Sequence, residues 1–337
     1  MKRFVNQPLP AKPRIAVIAN DAIGGFVSMT PLLQMMRAKY PDAHILYCGG
    51  VRTKELSDAS ALMDSRFDLH GATHADYLAF LSSCEPCDLV FNSESTPMPM
   101  VTAGVLAGEE GFVCGPCMGA GGRDSLAFAD DERGALWQDK KWICEDVTER
   151  FPFLTTGFII EIFCRLAYLE GPIPRYKVPS AAPGIDVPDV LITTAASYPS
   201  KLWTTEKWVA CLSALRDRGC SVGLLGAPPK FAGTWKGGDV DTLLIEQGLV
   251  QDLRGKLSLP QVVGACAMAK QILTIDNGIA HLATSTDTPI AAIFRNGIDR
   301  LWAPRGVPNL TVIKPPTEDG LPADISVETV LAALKLG

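Results

Sequence analysis

No uncharged apolar run in this chain of 337 residues reaches the roughly 18 residues that a membrane-spanning helix needs. The opening residues, Met1-Lys-Arg-Phe-Val-Asn-Gln7, carry basic charge but no apolar core of signal-peptide length, so a cytoplasmic protein is expected. An excess of basic residues is missing as well. The net charge is −6, whereas a nucleic-acid binder normally shows a basic face, and nucleic acid is therefore not expected as a partner. A phosphorylated small substrate stays open, because it needs only one or two local cations. The chain also lacks a G-x-G-x-x-G turn after its first strand, and no acidic residue closes the second strand. Those two absences argue against a dinucleotide, and no cofactor is expected.

What is present is an ordinary soluble composition, 47% hydrophobic and 20% charged. The length exceeds what one hydrophobic core usually supports, so two domains are expected. Ten cysteines include two C-x-x-C pairs, Cys84/Cys87 and Cys114/Cys117, and two such pairs can build a zinc site. Their placement opposes that. Cys87 precedes an apolar strand at 88–92, whereas Cys114 ends the next parallel strand at 111–114, which sets the pairs on opposite edges of one sheet. Free thiols in a reducing compartment, and no metal, are the expectation. A cysteine-based redox or metal protein is the rival from another class.

In chain order, residues 1–13 read as a leader with three prolines. Arg14–Ala19 is a buried strand and Asn20–Gly25 the turn after it. The helix that follows carries Met29, Leu32, Leu33, Met36 and Tyr40 at helical spacing, and Pro31 predicts its start near Val27 to Thr30. His44–Cys48 is the second strand. Beyond Asp76 the reading is helix, strand 88–92, helix 98–106 and strand 111–114. A glycine-rich loop, Gly119–Gly122, leads into a charged stretch from Asp130 to Lys141, with Trp137 and Trp142, either a substrate-side loop or a surface insertion. A helix from Thr155 to Leu169 closes this half. Residues 171–184 hold four prolines and form the clearest linker.

After the linker, strands at 190–194, 221–225, 271–275, 289–294 and 310–313 alternate with helices at 205–216, 239–247, 259–269 and 278–285. A further helix at 326–336 ends the chain. Alternation of this kind predicts α/β architecture: two doubly wound, Rossmann-like parallel-sheet domains, residues 1–172 and 185–337, facing a cleft.

The most informative stretch is Leu273 to Leu282. A short β-branched run breaks at Asp276-Asn277-Gly278 and resumes with helical spacing. A strand turning so into a helix leaves backbone N–H groups that suit a phosphate, and Asp276 falls at the strand's carboxyl end, where ligands of open α/β sheets bind. Alternatively Asp276 and Asn277 cap the helix and His281 is a packed core histidine.

Asp276-Asn277-Gly278-Ile279-Ala280-His281-Leu282-Ala283, followed by Pro289-Ile-Ala-Ala-Ile-Phe294, resembles the signature of the heptosyltransferase-type glycosyltransferases, family nine. The likeness extends to Ala22-Ile23-Gly24-Gly25 with Thr30-Pro31-Leu32-Leu33, and to Ser200-Lys201-Leu202-Trp203 with Trp208. The resemblance implies a GT-B fold. Its first domain would serve the acceptor and its second would bind a nucleotide-diphospho-sugar, ADP-heptose foremost. It implies a lipopolysaccharide-type or related glycan or glycolipid acceptor, with peripheral contact at the cytoplasmic face of the inner membrane, and a metal-independent reaction. No D-x-D pair follows a strand in the cleft segments, in agreement.

By the same resemblance Lys201 neutralises the leaving diphosphate. The donor site comprises Ser197, Lys201, Asp276, Asn277, Gly278, Ile279, Ala280 and His281, with His281 as a buttress, and Ile23, Gly24 and Gly25 form an acceptor-side loop. One departure matters. Members usually carry aspartate, the expected base, where this chain has Gly25. Asp21 is the first candidate to replace it and Glu94 the second. The alternative is a relative that binds nucleotide-sugar with transfer weakened or lost.

Overall fold

The computed structural model describes residues 1–228 and 236–336. The chain divides into two compact units, Met1–Lys177 and Val178–Gly337, so the division falls inside the proline-rich stretch.

The first unit holds six strands: β1 (Lys2–Arg3), β2 (Arg14–Ile18), β3 (His44–Gly50), β4 (Ser65–His70), β5 (Leu89–Asn92) and β6 (Phe112–Cys114). They form one all-parallel sheet in the order β1-β6-β5-β2-β3-β4. The second unit repeats the plan with β7 (Val190–Ile192), β8 (Val222–Leu224), β9 (Gln251–Asp252), β10 (Gln271–Ile275), β11 (Ile290–Ile293) and β12 (Leu310–Ile313), ordered β12-β11-β10-β7-β8-β9. In each sheet the strand order reverses at one place, between β2 and β5 in the first and between β7 and β10 in the second. At such a switch point the connections leave in opposite directions and open a crevice at the strands' carboxyl ends. The central strands are mostly apolar and, Arg14 apart, buried on both faces, as covered parallel sheets require.

Several elements depart from the sequence reading. The leader is anchored: Lys2 and Arg3 pair with Phe112 and Val113, and Phe4 is buried. The helix after β2 runs Ile23–Lys39, so Ile23, Gly24 and Gly25 are its first turn and not a loop. Pro31 therefore lies inside a helix. It cannot donate to the Val27 carbonyl, and the Thr30 hydroxyl does so instead at 2.7 Å. The helix read as 155–169 is shorter, Ile159–Leu166. β1, β4 and β9 were not foreseen. Two of them are only two residues long, and β4 is half-exposed at an edge, so none carries a strong apolar signature.

Trp137 and Trp142 pack against Phe163, so the charged stretch that begins at Asp130 is tied to the first unit's interior. The last helix, Val327–Ala333, joins the second unit's core through Val330, beside Trp203 and Trp208. Among the described residues no helix is long and apolar enough to cross a membrane.

All ten cysteines are free, and burial pushes Cys87 and Cys114 up to about 12, which makes them poor nucleophiles and poor redox thiols. Leu89 pairs with Phe112, which keeps Cys87 and Cys114 at opposite ends of neighbouring strands.

Candidate active site

The second unit's switch point brings together two of the segments singled out in the sequence. The turn after β7 leads to a short 3-10 helix, Pro199–Lys201, and the turn after β10 leads to the helix Gly278–Ala283. Lys201 Nζ lies 2.8 Å from Asp276 Oδ2, with side-chain exposures of 17% and 7%. Yet among the described residues Asp276 Oδ2 finds no directed hydrogen bond, so the contact is one of charge and not of alignment. The ammonium also reaches the Asp276 carbonyl at 3.4 Å. A cation held in this way is partly desolvated and not locked, and it can turn towards an incoming anion.

Asn277 builds the frame. Its amide donates to Thr193 Oγ1 at 2.8 Å and to the Ala195 carbonyl at 3.0 Å, tying the β10 turn to the β7 turn. Its Oδ1 accepts from the Ile279 and Ala280 N–H groups. The helix-opening donors that the sequence offered to a phosphate at Ile279 and Ala280 are thus occupied by the cap. Thr193 Oγ1 and Thr274 Oγ1 lie 2.6 Å apart and close the same network. Gly278 and Ile279 are half-buried at the rim, Ala280 is buried, and Ser197 is exposed on the β7 turn. Trp203 and Trp208 are core residues, edge-to-face at 5.1 Å, with Trp203 Nε1 donating to the Ile325 carbonyl.

His281 is buried, and desolvation lowers its pKa to about 4, with the Lys201 charge acting in the same direction against the pull of Asp276. It is neutral near pH 7. The unfolded chain, with an ordinary histidine, takes up its proton first as the pH falls from about 6.5 towards 4. Stability present above pH 6.5 is therefore lost across that window, by roughly 3 kcal/mol for this group. Urea unfolding from pH 7 to 4.5 should show the loss in the wild type, and His281→Gln should have a flatter profile.

The sequence reading missed a polar cluster on the same rim. The Thr194 hydroxyl donates to Asp241, and Asp241 Oδ2 lies 3.4 Å from Arg254 Nη1. Burial raises the Asp241 pKa. Arg295, two residues past β11, keeps Nε buried without a hydrogen-bond partner among the described residues, and the register of Ile275 against Ile293 sets it abreast of Asn277. The available signal was position: Thr193-Thr194, Arg254 and Arg295 each follow a strand end closely.

The first unit's switch point gathers Asn20 and Asp21 after β2 with Glu94 after β5. Asp21 is tied to Arg52: Oδ2 accepts from Nε at 2.7 Å and Oδ1 from the backbone N–H at 2.9 Å. Glu94 Oε1 accepts from Asn20 Nδ2 at 3.2 Å. Thus the first-choice carboxylate is held in an ion pair, whereas the second faces neutral donors. Among the described residues no three His, Cys, Asp or Glu side chains gather as a metal site.

Two parallel-sheet α/β units, each with a switch point at its strands' carboxyl ends, are the architecture of the GT-B fold. Residues 174–317 match the family model described as glycosyltransferase family 9 (heptosyltransferase), in agreement with the resemblance read from the sequence over that part of the chain. Among solved structures, the family 9 glycosyl transferase from Veillonella parvula is 15% identical, with a TM-score of 0.70 over 96% of this chain and 97% of that one. The E. coli ADP-heptose lps heptosyltransferase II is 17% identical, with a TM-score of 0.68 over 95% and 97%. The E. coli heptosyltransferase WaaC, solved with ADP, is 16% identical with a TM-score of 0.63 over 94% and 97%. No curated protein matches the chain.

Proposed function

We propose that the protein transfers a sugar from a nucleotide-diphospho-sugar, ADP-heptose foremost, to a lipopolysaccharide-type or related glycan acceptor, without a metal ion. The observation that carries this reading is the Lys201–Asp276 pair beside the Asn277-braced turn. In it the donor sits at the second unit's rim. Lys201 swings from Asp276 onto the diphosphate as charge grows there, and Arg295 adds a second cation. Asp276, released from Lys201, accepts from sugar hydroxyls. Ser197 and the Gly278 backbone line the approach. At the first unit's rim Glu94, rather than Asp21, takes the acceptor hydroxyl's proton, because Asp21 is neutralised by Arg52. The acceptor class would place the protein at the cytoplasmic face of the inner membrane. The WaaC structures with ADP and with ADP-2-deoxy-2-fluoro heptose make ADP-heptose the first donor to test.

Thermal shift of the full chain against ADP-, GDP-, UDP- and dTDP-sugars tests the reading. A ligand at 100 times its Kd adds about 2.7 kcal/mol to the folded state. ADP-heptose should shift the melt, Asp276→Asn should weaken that shift, and excess EDTA should leave turnover unchanged. No shift with any of the four, or a shift untouched by Asp276→Asn but lost on changing Asn20, would sink it.

A further inference from the structure

The helix Ile23–Lys39 carries a glycine in its first turn that its own backbone does not call for. Gly25 is absent from the glycines with positive φ, so its conformation is open to any residue. Glycine within a helix costs about 0.5–1 kcal/mol relative to alanine, so something else requires it. That requirement is space: a Cβ at residue 25 would stand 2.0 Å from Asn20 Oδ1 and 2.9 Å from Asn20 Cγ. The side chain of Asn20 fills the volume that a residue-25 side chain would enter.

Asn20 is fixed at both ends. Its Oδ1 accepts from the Ala22 N–H at 2.9 Å, which turns Nδ2 towards Glu94 Oε1 at 3.2 Å. The Glu94 main chain is clamped in turn by Asn92, which is fully buried. Asn92 Oδ1 accepts from the Glu94 N–H at 3.0 Å, and Asn92 Nδ2 donates to the Glu94 carbonyl at 2.9 Å and to the Pro116 carbonyl at 2.7 Å. The Ser93 hydroxyl, shared with the Ile18 carbonyl, lies 3.3 Å from the same Oε1. All the hydrogen bonds to the Glu94 carboxylate among the described residues fall on Oε1, and Oε2 accepts none. Asp21, by contrast, is wedged between Arg52 and the Gly50 backbone, where a Cβ would meet Asp21 Oδ1 at 2.0 Å.

We infer that Asn20 is a positioning residue that holds the Glu94 carboxylate with Oε2 outward for proton transfer, and that residue 25 is glycine to make room for it. The inference rests on the glycosyl-transfer reading above. In the step it serves, the acceptor oxygen bonds to the sugar's anomeric carbon and its proton passes to Glu94 Oε2. The anomeric carbon–oxygen bond breaks with its electron pair leaving on the nucleoside diphosphate.

The test compares turnover of ADP-heptose with a heptose-free lipopolysaccharide core as acceptor in Asn20→Ser, Gly25→Ala, Glu94→Gln and the doubles with Glu94→Gln. Serine keeps an acceptor for the Ala22 N–H but is too short to reach Glu94. Asn20→Ser and Gly25→Ala should each lower kcat about tenfold or more, the worth of one hydrogen bond to a charged group, with the donor's KM unchanged. Neither should lower kcat further once Glu94 is glutamine, because a residue acting only through Glu94 has nothing left to position. Far-UV circular dichroism and melting confirm the fold of each variant. If Glu94→Gln is slow but Asn20→Ser and Gly25→Ala run at the wild-type rate, or if their losses multiply with that of Glu94→Gln, the positioning role is wrong and the transfer reading survives. A Glu94→Gln enzyme as fast as wild type, or a wild type that turns over none of the four nucleotide-sugar classes, overturns both.

Discussion

Lys201→Ala is expected to lower kcat by about 10²- to 10³-fold, the range for removing one preorganised group from developing charge. Donor affinity should fall much less. The reason lies in where the cation rests. In the free protein Lys201 is 2.8 Å from Asp276, and binding a ground-state diphosphate exchanges one anionic partner for another with little net gain. The gain comes when the sugar–phosphate bond breaks and the diphosphate takes on further charge, so the interaction belongs to the transition state. A second effect accompanies the first. Removing the ammonium leaves Asp276 buried without its counter-charge, and losing one partner of a buried pair is destabilising by several kcal/mol. The variant should therefore melt lower, and kinetics must be taken well below that melt. Lys201→Arg, which keeps the charge, should recover stability more fully than rate. A Lys201→Ala enzyme with raised KM and unchanged kcat would show that the lysine only grips bound donor.

The strand-to-helix turn at Asp276 was open to sequence because its signal is local. Gln271 to Ile275 is a β-branched apolar run, Asp276-Asn277-Gly278 cannot continue it, and helical spacing resumes at once. What could not be read locally is how the polar groups are used. Asn277 appears in sequence as a cap beside a vacant set of donors, but its amide is committed to Thr193, 84 residues away. Pro31 misplaced the start of its helix because the compensation, a threonine hydroxyl on the Val27 carbonyl, depends on a rotamer that the sequence does not specify. The edge strands β1 and β9 went unseen because two residues paired to a neighbour have no periodicity to detect. Gly25 was legible as a missing aspartate. That it shelters Asn20 was not, since Asn20 and Glu94 meet only when β2 and β5 pair, 74 residues apart.

The two carboxylates of the first rim should separate cleanly, in the reverse of the order that sequence favours. Asp21 stands in the turn itself and was the first candidate for the missing base, but Arg52 binds it through both oxygens, one from the guanidinium and one from the backbone N–H. Both oxygens are thus engaged by Arg52, so a substrate hydroxyl would have to displace those bonds to reach the carboxylate. Asp21→Asn should therefore act mainly on stability. The pair is half-exposed on the arginine side, which limits the loss to about 1 kcal/mol, and kcat should stay within about threefold of wild type. Glu94 has no cationic partner among the described residues, and Oε2 accepts no hydrogen bond there, so Glu94→Gln removes the proposed acceptor of the proton while keeping the shape and the Asn92 clamp. Removing a general base costs about 10²- to 10⁴-fold, and Glu94→Gln should fall in that range with an unchanged melt. The discriminating measurement is kcat for both variants at saturating donor, beside their melting temperatures. Slow transfer in Asp21→Asn with normal transfer in Glu94→Gln would restore Asp21 as the base. It would also mean that the Arg52 pair opens when the acceptor binds.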